Sequence, residues 1–224
     1  MRSIGYRKSL LLGMLAGLTL CAGPARANLL LNGSFEAVDA SASPFFIRSF
    51  ASTPGWTQFG DGVDLIHNNY TQAPTVLVDA SDGVQFLDMN QAGALGGIEQ
   101  VVTALTGVSY RLELDTAAWA TNAIGGTIGY QLFDPTTSAI LAQGSYTDNV
   151  GGTWVLRSLD GVATSSQIGV RIQGLARNQA GMGLDNVRLN AVNAAVPEPS
   201  SLALLALAAG TIGIPALARR RRGG

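Results

Sequence analysis

Apolar and polar positions alternate strictly along residues 109–116: Tyr110, Leu112 and Leu114 fall on one side, Arg111, Glu113 and Asp115 on the other. Successive side chains of an extended chain point to opposite faces, so this is the pattern of a strand with one buried and one wet face. The same period, bounded by glycine-rich turns, predicts further strands over 45–50, 63–66, 84–89, 97–102, 127–133, 139–146, 153–159, 168–173 and 184–189. Gly125-Gly126 and Gly151-Gly152 mark turns, and Asp134-Pro135 starts another. Residues 37–43 form a polar loop. The central chain shows no long helical period and no internal repeat. Many short strands at this spacing predict an all-β fold, a β-sandwich with the jelly roll as its leading topology, over residues 28–190.

Both ends break the pattern. Arg2, Arg7 and Lys8 precede an apolar run from Leu10 to Leu20, and Ala25-Arg26-Ala27 places small residues where a signal peptidase reads them. Residues 1–27 are therefore expected to be a signal peptide cut before Asn28. Cys21 after an apolar run invites a lipoprotein reading, but Leu20 stands where a small residue is needed, which disfavours it. At the other end, 191–201 reads as a linker and 202–218 is apolar on every face, the signature of a membrane-spanning helix rather than an amphipathic one. At about 1.5 Å per residue it only just spans a bilayer core. Arg219, Arg220, Arg221 and Arg222 open a basic tail, 219–224, that is costly to translocate and so stays cytoplasmic.

Setting the ends aside changes the charge. The whole chain is near neutral at −1, yet residues 28–196 hold six arginines, no lysine and fourteen acids, a net of −8. A surface of that sign repels phosphate backbones and argues against nucleic acid as a partner. It suits hard cations such as calcium, or a neutral ligand. With the single cysteine in the leader, the mature chain has no thiol for a disulfide, a nucleophile or a metal.

Val196-Pro197-Glu198-Pro199-Ser200, then the apolar stretch, then the arginines, resembles the PEP-CTERM sorting signal of Gram-negative bacteria over residues 197–224. The resemblance implies that Pro197, Glu198, Pro199 and Arg219 to Arg222 form an address read by exosortase, a membrane transpeptidase-like enzyme linked to exopolysaccharide production. It implies a protein held briefly in the inner membrane by its tail and finishing in the cell envelope or extracellular matrix.

A second resemblance runs through the mature chain. Asn28-Leu29-Leu30-Leu31-Asn32-Gly33-Ser34-Phe35-Glu36 opens it, and Pro54-Gly55-Trp56 and Gly62-Val63-Asp64-Leu65-Ile66 follow. Then come Asp82-Gly83-Val84-Gln85-Phe86-Leu87-Asp88, Gly97-Ile98-Glu99-Gln100 and Gly183-Leu184-Asp185-Asn186-Val187. In that order they resemble galactose-binding-like jelly rolls of carbohydrate-binding modules and choice-of-anchor proteins. In such folds the first motif lies beside the last strand and often holds structural calcium. Carried over, that implies Glu36 and Asp185 as ligands, with carbonyls and Asn32 or Asn186 completing the shell. The alternative is that both carboxylates only satisfy backbone amides.

Sugars stack an apolar face on a planar ring while amides, carboxylates and guanidinium groups read their hydroxyls. Trp56, Trp119, Trp154, Tyr70, Tyr130 and Tyr146 are the rings considered. Trp154 and Trp56 read as core. Trp119, between a strand and a glycine turn, is the expected platform, with Arg111, Asp115 and Asn122 nearby in sequence as polar contacts. His67 is the only histidine, so a multi-histidine zinc site is excluded, and no Gly-x-Ser-x-Gly elbow accompanies it; it reads as a loop residue. Asp64, Asp82, Asp88 and Glu99 could form a hydrolase pair, but acids this frequent produce pairs by chance. The expectation is a non-catalytic module for exopolysaccharide or surface glycan, the alternative a structural or protein-interaction component of the matrix with no glycan pocket.

Overall fold

The computed structural model describes residues 28–42, 44–47, 53–71, 75–91, 94–176 and 181–192. The expected signal peptide, the 202–218 helix and the sorting residues lie outside them. Among these residues twelve strands form, in chain order, β1 (Phe46–Ile47), β2 (Thr57–Gly60), β3 (Asp64–His67), β4 (Gln85–Asp88), β5 (Asn90–Gln91) and β6 (Ala94–Thr103). β7 (Ser109–Ala117), β8 (Gly126–Phe133), β9 (Ile140–Asp148), β10 (Val155–Val162), β11 (Gln167–Gly174) and β12 (Gly183–Val192) complete the set. The first sheet has the order β1-β3-β4-β12-β7-β10 and the second β2-β6-β11-β8-β9, with β5 beside β6; every pairing is antiparallel. This is the expected jelly-roll sandwich.

The alternation read in the sequence fixes which face is buried. Leu112 and Leu114 of β7 pack inward against Ile98, Ile128, Leu132, Ile168 and Ile172 of the second sheet, all fully buried. A slip of one residue in β7 would turn Arg111 and Glu113 into this core, so the pattern fixes the register. Asn28 ties the chain's first described residue to the last strand: its side chain accepts from the Leu30 and Leu189 N–H groups and donates to the Val187 carbonyl at 3.0 Å.

Two strands escape the sequence pattern. β2, Thr-Gln-Phe-Gly, holds one apolar residue and β5, Asn-Gln, none, so neither shows an alternating period. His67 ends β3 rather than standing in a loop; it is buried, and its Nδ1 accepts the Asn69 N–H at 3.1 Å.

The outer face of the first sheet is not wet throughout. Residues 75–82 cross it, held by Leu77 N–H to the Trp119 carbonyl, Thr121 N–H to the Thr75 carbonyl and the Trp154 indole N–H to the Asp79 carbonyl. Beneath this strap Phe86 packs against Trp119 and Trp154 at 5.7 and 5.5 Å between ring centroids, and Tyr70 packs against Trp119 and Phe46. Trp154 is therefore part of the core's margin, and Trp56 is buried with its indole N–H on the Asn32 carbonyl.

Candidate functional site

The outer face of the second sheet is open. By register, Gly97 and Glu99 of β6, Gly169, Arg171 and Gln173 of β11, Gly129, Gln131 and Phe133 of β8, and Gln143 and Ser145 of β9 point the same way. Glycine inside a strand marks a place where another group approaches the backbone closely. Here the Phe59 ring lies on Gly97 and the Phe133 ring on Gly169, so closely that a Cβ at either glycine would collide with the ring; Leu175 covers Gly129. Phe133 is buried against the Arg171 guanidinium, so the half-buried Phe59 is the ring this face presents.

Between the rings stands Arg171. Its guanidinium carbon lies 4.8 Å from the Phe133 centroid and 5.6 Å from that of Phe59, while Nε and Nη2 donate to Glu99 Oε2 at 3.0 and 2.8 Å. The pair cancels charge at the centre of the face. Beside it, Gln131, Gln143, Ser145, Arg171, Gln173 and Leu175 bound a hollow of about 450 Å³, within the range of small-ligand sites. A second hollow of about 540 Å³ follows the edge at Trp56, Gln58, Phe59 and Asp61. Neutral amides and a hydroxyl beside Leu175, with the Phe59 ring in the neighbouring hollow, can hydrogen-bond sugar hydroxyls and support a pyranose face. The sequence signal for this face was present in Gly129-x-Gln131 and Gly169-x-Arg171-x-Gln173, small residues alternating with polar ones on one side of a strand.

The residues expected to form the sugar platform do not come together. Trp119 is 3 % exposed and lies under the strap, packed on Tyr70 and Phe86, so no sugar can stack on it. The expectation failed because the segment that covers this ring is remote in sequence. Arg111 projects near the start of β7, where its Nε and Nη2 donate to both Asp160 oxygens at 2.7 Å. Asp115, near the other end of β7, is buried and accepts from the Ser81 hydroxyl and the Asn186 amide. Asn122 sits in a short 3-10 turn, Thr121–Ala123, with a buried Oδ1 that accepts no hydrogen bond.

Glu36 and Asp185 do converge, on one turn. Glu36 Oε1 accepts the Val84 and Gln85 N–H groups at 2.9 and 3.0 Å, and Asp185 Oδ2 accepts the Asp82 N–H at 2.8 Å. Asn32, Phe35 and Asn186, all with φ between 51° and 61°, bend the flanking backbone into the left-handed region. Asp185 is fully buried, and burial, opposed by bonds from the Asp82, Asn186 and Ser81 amides, pushes its carboxyl up to about 8. Each printed partner of the two carboxylates is a backbone N–H, the arrangement of acids that satisfy backbone amides, and no basic side chain is bonded to Asp185 among the described residues. Among the described residues no three carboxylate, imidazole or thiol groups gather as a metal cluster. The acids considered for hydrolysis are dispersed: Asp64 and Asp88 are buried under the first sheet's outer layer, Asp82 lies in the turn, and Glu99 is bound to Arg171 on the opposite sheet.

The model of the PEP-CTERM protein-sorting motif matches residues 195–222. The chain carries a PEP-CTERM sorting motif. That motif begins three residues in sequence after Val192, the end of the strand that Asn28 clasps. No curated protein sequence matches the chain. Among solved structures, TmCBM61 in complex with beta-1,4-galactotriose is similar at a TM-score of 0.53 and 16 % identity, covering 74 % of this chain and 99 % of that one. The arabinose-bound alpha-L-arabinofuranosidase MgGH51 aligns at 0.49 and 14 % identity over 74 % of this chain and 26 % of the other. The K2 adhesin domain of Lys-gingipain aligns at 0.47 and 12 % identity over 75 % and 99 %. The PEP-CTERM chain thus has the jelly-roll fold of a carbohydrate-binding module; at this identity the likeness speaks to fold alone.

Proposed function

We propose that this protein is exported, sorted by exosortase through its PEP-CTERM tail, and placed in the envelope or extracellular matrix, where its sandwich binds a neutral glycan without cleaving it. The observation that carries the reading is the open face of the second sheet. The half-buried Phe59 ring, the Gln131, Gln143 and Gln173 amides and the charge-balanced Arg171–Glu99 pair offer stacking and hydroxyl recognition with no net charge. A module of net −8 that presents such a face selects exopolysaccharide or surface glycan of neutral sugars over uronate-rich polymers. The binding of beta-1,4-galactotriose by TmCBM61 is consistent with a neutral sugar ligand.

We include a structural calcium ion in the proposal, held by Glu36 and Asp185 with carbonyls of the adjoining turns. It would brace the junction of the first described segment, the 81–85 turn and β12. The experiment that tests the function is retention of the exported protein on immobilised neutral and uronate-rich polysaccharides, including the host's own. Retention on the neutral set supports it; silence on every glycan rejects it in favour of a purely structural matrix component.

A further inference from the structure

β10 ends the first sheet. It pairs with β7 along one side, and among the described residues no backbone hydrogen bond reaches its other side between residues 156 and 162. An unpaired edge is a template for another strand, and monomeric folds blunt such edges by shortness, bulges, proline or lysine. Three other edge strands here are blunted: β1 has two residues, β2 has four, and the ladder of β9 shifts register between Leu132 and Phe133. β10 runs eight residues in unbroken register with β7, without proline or lysine.

Its outward side chains are Leu156, Ser158, Asp160 and Val162, with Leu156 and Val162 52 % and 50 % exposed. Asp160, the one acid of the strand, is neutralised by its two bonds to Arg111, so a second β10 would meet no uncompensated like charge. On the inner side Leu159 is partly buried, and Tyr146 and Ala142 of β9 pack against Arg157 and Gly161, so the strand's free side is its backbone edge rather than its inner face.

We propose that β10 is a self-association edge, pairing antiparallel with β10 of a second copy about a two-fold axis at Leu159. The strand is self-complementary in that register. Leu156 lies opposite the partner subunit's Val162, and Ser158 opposite the partner subunit's Asp160. Arg157 and Gly161, which also come opposite one another, lie on the inner side and are occupied within their own copy: the Arg157 guanidinium stacks on the Tyr146 ring at 3.5 Å, and Leu132 and Ala142 pack over Gly161. The two six-stranded sheets then join edge to edge, and each copy keeps the outer face of its second sheet free. An isologous two-fold contact of this kind closes on itself, so it gives a dimer rather than a fibre. Two grooves on one rigid dimer would cross-link a polymer and gain avidity, though the pairing itself does not depend on glycan binding.

The test is cysteine cross-linking of the full chain in its exporting host, in a Cys21→Ser background that removes the only native thiol. Directly opposite Cβ atoms lie about 4.5–5.5 Å apart and diagonal ones about 7–8 Å, and a disulfide forms only at the shorter spacing. Differently tagged copies carrying Ser158→Cys and Asp160→Cys should cross-link several-fold more than two copies both carrying Ser158→Cys. Adding Leu156→Lys and Val162→Lys, surface changes that leave the fold intact, should abolish the product. Absence of cross-linking in protease-resistant, folded copies overturns the proposal, and equal yields from the matched and mismatched pairs overturn it as well.

Discussion

Asp64 and Asp88 stand directly opposite one another on adjacent antiparallel strands, their side chains on the same face and both buried. Burial, opposed by the Asn90 and Gly181 N–H bonds and reinforced by the nearby Asp64 charge, pushes the Asp88 carboxyl up to about 7. An acid whose pKa is higher folded than unfolded stabilises the fold fully below its unfolded value, 3.8, and that contribution is lost as pH rises through the folded value. Asp134, Asp148 and Asp160 are held low by hydrogen bonds and ion pairing, so their contributions fade only at acid pH below that window. The melting temperature is therefore expected to be higher near about pH 5 than near about pH 8. Asp185, raised to about 8, contributes with the same sign, so Asp88→Asn, whose amide oxygen can still accept both N–H bonds, should reduce the difference without removing it. An unchanged slope in this variant would contradict the assignment.

Calcium in millimolar excess over chelator should raise the melting temperature of the native chain, because a ligand that binds only the folded state stabilises it. Glu36→Gln should abolish that increment. In the absence of metal, Glu36→Ala leaves the Val84 and Gln85 N–H groups without their partner and should cost about 1–3 kcal/mol, read by denaturant unfolding.

Gly169→Ala places a methyl group where the Phe133 ring now lies. The ring must lift from the sheet, at about 1–3 kcal/mol for overpacking. Glycan retention should fall together with this local change, while far-UV circular dichroism keeps its β-sheet form.

Trp119→Ala removes a buried indole from between Tyr70 and Phe86 and should cost about 3–5 kcal/mol. Any loss of glycan binding should track the unfolded fraction alone. A folded Trp119→Ala protein with selectively lost binding would move the site to the first sheet.

Replacing Pro197 and Glu198 with alanine should leave the 202–218 stretch attached, so that intact-mass measurement finds the tail present and the protein stays in the membrane fraction. Release at the native rate would separate processing from this motif.

The strands with a clear period, such as β7 and β11, were legible in the sequence because the two faces of each meet different surroundings. The Glu36 and Asp185 junction was legible through the ordered motifs that bring the first segment beside β12. Trp119 was not, because its burial depends on residues 75–82 folding across the first sheet, a contact between segments far apart in the chain. The face carrying Arg171 was missed for a related reason. Its parts lie on β2, β6, β8, β9 and β11 and become a site only when strand register aligns them, while the ring that serves it is Phe59, lying on Gly97, rather than a tryptophan.

The most direct test of the account is a titration of the exported protein with neutral oligosaccharides derived from its host's polysaccharide, comparing the native chain with Arg171→Ala and Gln173→Ala. The account predicts saturable binding that weakens by about tenfold, or about 1.4 kcal/mol, in either variant while the melting transition stays cooperative. Saturable binding unaffected by both substitutions, or no binding by the native chain, would contradict the placing of a glycan on the second sheet.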